Sequence, residues 1–307
     1  MAGQFAKPRS ALVETREGVT LPAYQGDIVN QLEFSPTART PDPERMLSAL
    51  TQALHTRDIV RERVFLSHEC LLLPYEEAML RPVSVPSDAN TPTEQKTKQY
   101  FSSSAHFLWL GERTRQIAHA HAHFLSRLVN PIGVKISEKI TSTELLQLLE
   151  LLNPANIPGR VSLITRMGAE KLRMKLPELI HAAQDAKKAV IWLCDPLHAN
   201  TEVCAENKRK TRFLHKVEEE LLTAVEVHRE CGSHFGGVHL EMTGKHVSEC
   251  VGGSVTVSDL ESAYHTACDP RLNGEQALHL CEVLCAKLRP PKKESWDAHH
   301  HHHKHKI

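Results

Sequence analysis

The sequence predicts an α/β protein folded as a (β/α)8 TIM-type barrel, and three observations predict it. Short apolar runs recur at 64–66, 107–110, 132–136, 161–165, 189–194 and 238–242. Helical patterns follow, at about 115–129, 143–152, 169–187 and 211–230, with a closing helix at 274–288. Such alternation builds a parallel sheet. Charged residues stand where the runs end, and in a barrel those ends open on the single face that carries chemistry. A doubly wound open sheet is the alternative that the same alternation allows.

Each element has its own signal. Residues 1–60 are mixed and polar, with turns at Pro8, Gly18, Gly26 and Thr40-Pro41-Asp42-Pro43, then a short helix near 43–55. The segment 82–104, with Pro82, Pro86, Asn90 and Pro92, reads as a surface loop. Thr141-Ser142-Thr143-Glu144 before Leu145 is a capping box for the helix at 143–152. In 169–187, Leu172, Leu176, Leu179, Ile180 and Ala183 keep the 3.6-residue period of a buried helix face. The expected organisation is one barrel domain over 1–289, followed by a disordered His-rich tail, 290–307, with consecutive histidines at 299–303.

Composition narrows the function. Lys plus Arg and Asp plus Glu are 37 each, so the formal net charge is zero, which argues against a nucleic-acid or membrane coat. No apolar run approaches the ~18 residues of a membrane helix, and no secretory signal follows Met1. The eight cysteines include no CxxC pair and do not read as a disulfide framework, which favours a reducing compartment. Cys281 and Cys285, four apart on the last helix, are expected in the core.

Two groups of residues stand at the strand ends. Lys7, Arg9, Arg113, Arg115, Lys135 and Arg166 would repel one another unless they met an anion, so a phosphorylated or polycarboxylate ligand is implied. His198, Glu241 and Asp269 offer an imidazole and two carboxylates, a set that suits Mn, Fe, Co or Zn with open positions. The bland readings stand beside these. Among 21 histidines chance trios are common. His119, His121 and His123 fit a solvated helix face, His68-Glu69 an ordinary strand end, and the basic run 208–212 a solvated helix start.

The motifs themselves go further. Ala2-Gly3-Gln4-Phe5-Ala6-Lys7-Pro8-Arg9-Ser10, Leu110-Gly111-Glu112-Arg113-Thr114-Arg115-Gln116, Arg166-Met167-Gly168, Cys194-Asp195-Pro196-Leu197-His198, the stretch 236–244 with Glu241, and the stretch 268–273 occur in one order. In these the chain resembles the type II 3-deoxy-D-arabino-heptulosonate 7-phosphate (DAHP) synthases, and through Ser67-His68-Glu69-Cys70 and Leu73-Pro74-Tyr75-Glu76 the plant-type branch. The resemblance implies condensation of phosphoenolpyruvate with erythrose 4-phosphate, the first step towards aromatic amino acids. It implies that Glu112, Arg113, Lys135 and Arg166 surround phosphoenolpyruvate, with Lys135, Arg166 and Glu112 catalytic. It assigns Lys7, Arg9, Ser10 and Arg113 to the erythrose phosphate, and His198, Glu241 and Asp269 to a divalent metal, manganese first. The implied partners are these small molecules and a homo-oligomer, with no nucleic acid and no membrane. The implied place is a plastid stroma for a plant or alga, otherwise the cytoplasm.

The chain also departs from the family pattern. The family's cysteine metal ligand on an earlier strand has no counterpart in context, and Met1 stands where the family has an arginine. The family's helical insert is absent between Thr56 and Arg61. Ala118-His119, Leu197 and Ala199 also differ from the family's usual residues. The expectation is therefore an N-terminally truncated, internally deleted barrel lacking its first strand and part of its second. The runner-up function is an inactive relative that binds phosphorylated ligands or associates with an intact synthase.

Overall fold

The computed structural model describes residues 9–14, 20–25, 65–83 and 99–289. Strands β1 (Arg9–Glu14) and β2 (Thr20–Gln25) form an antiparallel ribbon in which Arg9 pairs with Gln25 and Ser10 with Tyr24. The main body follows as β3 (Ser67–Glu69), α1 (Leu73–Ala78), β4 (Leu80–Pro82), β5 (Tyr100–Ser102), β6 (Phe107–Leu110), α2 (Ala120–Ser126), β7 (Ile132–Ile136), α3 (Ser142–Leu152), β8 (Val161–Thr165) and α4 (Ala169–Asp185). It ends with β9 (Ile191–Cys194), β10 (Thr201–Val203), β11 (Lys210–Arg212), α5 (Leu214–Glu230), β12 (Phe235–Val238) and α6 (Gly274–Leu288).

A six-stranded sheet in the order β12-β9-β8-β7-β6-β3 forms the centre, and every neighbouring pair in it is parallel. Every residue of β7 and β8 is buried, because helices cover one face and the interior the other. The sheet is curled. Trp109 of β6 and His239, just past β12, meet edge to face with ring centroids 4.7 Å apart. In a flat sheet those strands, four places apart in the order, would lie about 19 Å apart. The curl selects the barrel-type architecture over the open doubly wound sheet. Beyond β12 the chain stays extended: Thr243 N–H donates to Leu272 O (2.9 Å) and Leu272 N–H to Glu241 O (3.0 Å).

Local signals account for the elements. Thr141 Oγ1 accepts from Glu144 N (3.1 Å) and Glu144 Oε2 from Thr141 N (2.8 Å), which closes the expected capping box of α3. The predicted apolar stripe of α4, from Leu172 to Ala183, is buried. Asn273 and Gln276 cap α6 in the same reciprocal way.

Several expectations are corrected. The strand expected at 64–66 lies at Ser67–Glu69, where β6 pairs with it. The run at 238–242 is displaced to Phe235–Val238. Both ends of the expected 82–104 loop are zipped together, with Pro82 opposite Tyr100. The helix expected over 115–129 covers Ala120–Ser126. Lys210–Arg212 is a strand rather than a solvated helix start, and Cys281 and Cys285 are exposed. The helix near 43–55 and the tail 290–307 lie outside the described residues.

One buried acid lies beneath the strand ends. Glu220 of α5 accepts from Met167 N (2.9 Å) and Asn200 Nδ2 (2.8 Å), and so fixes the turn after β8. Burial, helped by the charge of Asp195, lifts its carboxyl from its ordinary 4.5 to about 7. A raised acid pKa means that the native state holds the proton more tightly than the unfolded chain. The associated stability is complete below about 4.5 and is lost as pH rises to about 7. The cost at neutral pH is about 3 kcal/mol. Thermal denaturation of the wild type and of Glu220→Gln from pH 4.5 to 8 is expected to show the variant's relative Tm climbing through that window and levelling above about 7. A difference that does not change with pH would contradict the assignment.

Candidate active site

The C-terminal ends of adjacent strands fall in step. Arg166 N–H donates to Ile136 O (2.9 Å), Asp195 N–H to Thr165 O (2.7 Å) and His239 N–H to Cys194 O (2.8 Å). This register brings Lys135, near the end of β7, towards Asp195, directly after β9. Lys135 is 5% exposed and Asp195 0%, and the ammonium sits on Asp195 Oδ2. Asp195 Oδ1 accepts from the backbone N–H groups of Leu197 (3.1 Å) and His198 (3.3 Å), an Asx-type turn into the short 3-10 segment His198–Asn200. Oδ2 also accepts from His198 Nδ1 (2.6 Å). Burial alone would raise the Asp195 carboxyl, but Lys135 and then His198 hold it well below the usual carboxylate range.

His198 faces outward from this anchor. Its Nε2 lies 3.7 Å from Glu241 Oε2, and donor atoms of His198, Glu241 and Asp269 all lie within 4.8 Å of one another. A metal with ~2.1 Å bonds holds its donors roughly 3 to 4.3 Å apart, so the trio needs a contraction of about half an ångström to close on an ion. One imidazole and two carboxylates fit a divalent ion in chemistry as well as in spacing.

Each member of the trio is held from behind. Arg212, 0% exposed, donates from Nη1 to Glu241 Oε2 (2.8 Å) and to Pro270 O, and from Nε to Thr201 Oγ1 (2.9 Å). Lys210 donates to Asp269 Oδ1 (2.9 Å). Burial raises the Asp269 carboxyl, but Lys210, Arg212 and His198 together leave it lowered. The loop that carries Asp269 is clamped by Glu249, which accepts from Arg271 N (2.8 Å), Nε (2.9 Å) and Nη2 (2.7 Å).

The expected anion grip is partly assembled. Arg166 is half-buried and its Nε has no acceptor among the described residues; Arg115 Nε is in the same condition. A buried donor of this kind costs roughly 1–3 kcal/mol when left unmet, so an anion suits the place. Arg113 is exposed. Glu112 accepts from Ser137 N (2.7 Å), Ser137 Oγ (2.7 Å) and Arg115 Nη2 (2.9 Å), so it ties the ends of β6 and β7 together. Lys7 lies outside the described residues, and Arg9 and Ser10 are described as backbone of β1.

The remaining histidines divide. His239 is pressed between Trp109 and the Lys135–Asp195 pair; burial and then Lys135 push its imidazole down to about 4. His68 pairs with Glu76, and His121 bonds to Leu71 O (2.9 Å), so neither belongs to the metal trio. Asp195 and Arg212 carry the site, whereas the sequence reading gave Asp195 no role of its own and placed Arg212 in a solvated basic run. The available signal was an Asp-Pro step directly after a strand for the first, and an Arg at alternate spacing from Lys210 for the second.

Comparison with known proteins shows the family. A family model described as the Class-II DAHP synthetase family matches residues 1–64 and 56–285. The chain is 38% identical to a phospho-2-dehydro-3-deoxyheptonate aldolase of Streptomyces coelicolor, over 94% of this chain and 74% of that protein. It is 36% identical to the protein of the same name from Neurospora crassa, over 96% of this chain and 74% of that one. It is 37% identical to the phospho-2-dehydro-3-deoxyheptonate aldolase AroG of Mycolicibacterium smegmatis, over 94% and 73%.

Arg212→Met keeps an unbranched apolar stem but leaves Glu241, Thr201 and Pro270 without their donor. It is expected to cost about 3–5 kcal/mol, read as a lower midpoint of urea denaturation. A midpoint unchanged from wild type would remove Arg212 from its supporting role.

Proposed function

Because the chain belongs to the class-II DAHP synthetase family, we propose that its strand-end site joins phosphoenolpyruvate to erythrose 4-phosphate, giving DAHP and inorganic phosphate. The chain is a 3-deoxy-7-phosphoheptulonate synthase, a transferase of aromatic amino acid biosynthesis. One observation carries the assignment to this site: a single buried carboxylate, Asp195, holds both the buried cation Lys135 and His198, whose other side meets the Glu241 and Asp269 donors.

Lys135 and Arg166 hold the anionic groups of phosphoenolpyruvate, and the unmet Nε of Arg166 supports that role. Glu112 positions Arg115 and the turn after β7. Lys7, Arg9, Ser10 and Arg113 take the phosphate of erythrose 4-phosphate. Two like-charged substrates approach one another only against fixed positive charge, which these side chains supply without reorganising. His198, Glu241 and Asp269 would hold a divalent ion, manganese in our reading with Co, Fe or Zn also suited, whose chemistry is Lewis-acid polarisation of the aldehyde. Carbon 3 of the enol then bonds to the aldehyde carbon, water adds at carbon 2, and phosphate departs. No helix among the described residues is long and apolar enough to cross a membrane, and the bacterial and fungal relatives support a cytoplasmic enzyme.

Phosphate release from phosphoenolpyruvate, dependent on both erythrose 4-phosphate and added Mn2+ or Co2+, is the direct assay. Lys135→Met is expected to lower kcat/KM by roughly 10²–10³-fold. Absence of release from the wild type under these conditions would favour an inactive, ligand-binding relative instead.

A further inference from the structure

We infer that Asp195 is a positioning residue that couples the metal cradle to the anion grip, so that each occupant tightens the binding of the other. The inference rests on the proposed reading of the site and deepens it. Asp195 has no solvent exposure, and its oxygens meet the Lys135 ammonium, His198 Nδ1 and the backbone N–H groups of Leu197 and His198. A carboxylate accepts, so His198 carries its hydrogen on Nδ1. The neutral imidazole then presents the lone pair of Nε2, the nitrogen that faces Glu241. This is the arrangement in which a carboxylate behind a histidine fixes its tautomer and ring orientation for a metal.

The coupling follows because Lys135 and His198 share a single oxygen, Oδ2. A dication at Nε2 makes Nδ1–H a stronger donor and draws electron density from Oδ2. The hold of Oδ2 on Lys135 weakens, and the ammonium's field becomes available to an arriving anion. An anion on Lys135 acts in reverse: it relieves Oδ2 of the ammonium and leaves it a better acceptor for His198. Linkage requires the two effects to be equal in size. A merely structural Asp195, present to neutralise a buried lysine, would give neither the tautomer nor the coupling.

The test is calorimetric titration of Mn2+ into the full chain, with and without saturating phosphoenolpyruvate. For the wild type, phosphoenolpyruvate is expected to tighten Mn2+ binding by at least about 5-fold. In Asp195→Asn, Mn2+ affinity should fall by roughly 10–100-fold and the effect of phosphoenolpyruvate should largely vanish. Because Asp195→Asn leaves a buried cation, the charge-balanced Lys135→Met/Asp195→Asn pair provides a second route. It should bind Mn2+ as weakly as Asp195→Asn, whereas Lys135→Met alone, which frees Oδ2 for His198, should bind Mn2+ at least as tightly as the wild type. Nitrogen-15 histidine spectra, with His198 identified by its loss in His198→Gln, should show the Nδ1–H form in the wild type. Wild-type Mn2+ affinity in both Asp195 variants, or phosphoenolpyruvate coupling that persists in them, would overturn the inference and leave the enzyme assignment intact. A wild type that binds no Mn2+ would overturn the metal reading of the site and this inference together.

Discussion

A carboxylate sealed from water must have its lone pairs met by protein, and Asp195 is the point where this requirement organises the molecule. Its acceptors are satisfied by a strand on one side, a turn on the other and two backbone N–H groups between them. None of these donors can move without exposing a buried charge. The positions of β7, β9 and the turn carrying His198 are therefore bound into one rigid unit. Arg212 repeats the logic one layer further on, joining Thr201, Glu241 and Pro270, and the Glu249–Arg271 pair repeats it again beneath Asp269. The site is a chain of neutralised buried charges whose last members face outward.

Curvature makes this possible. Side chains from β6 and from the residues after β12 touch across the interior, and Lys135 lies over the Trp109 ring at 5.8 Å. The ring face favours the cation while it excludes water, so Lys135 keeps a strong local field. The same packing keeps His239 neutral beside it. An aromatic wall thus stands on one side of the ammonium and a carboxylate on the other.

The sequence disclosed the elements whose cause is local. Strands β7 and β8 are buried on both faces, so each reads as a mainly apolar run, broken by Lys135 in β7 and by Ser162 and Thr165 in β8, and their bounds match the runs at 132–136 and 161–165. The caps of α3 and the stripe of α4 are likewise written in adjacent residues. Strand β3 is Ser-His-Glu and carries no apolar signal; its place is set by pairing with Phe107, Leu108 and Trp109. Strand β12 contains Gly236 and Gly237, which pack closely on Ile191 and Leu193 yet register as gaps in hydropathy. At the site, the grouping of His198, Glu241 and Asp269 was legible chiefly through family resemblance. Arg212 escaped because its burial depends on acceptors contributed by three distant segments.

The zipped pair β4–β5 has a separate bearing on how this chain can change over time. Leu80, Arg81 and Pro82 lie opposite Ser102, Phe101 and Tyr100, and Asn130 pins the far side through Ser102 N (2.8 Å) and Ser102 O (3.1 Å). Residues 82 and 100 lie opposite one another, so a change in the number of residues between them leaves the pairing of β4 with β5 in place. Since loop-closure entropy grows only slowly with length, insertions and deletions there cost little. That stretch can therefore lengthen or shorten while the strand ends that carry the chemistry stay put.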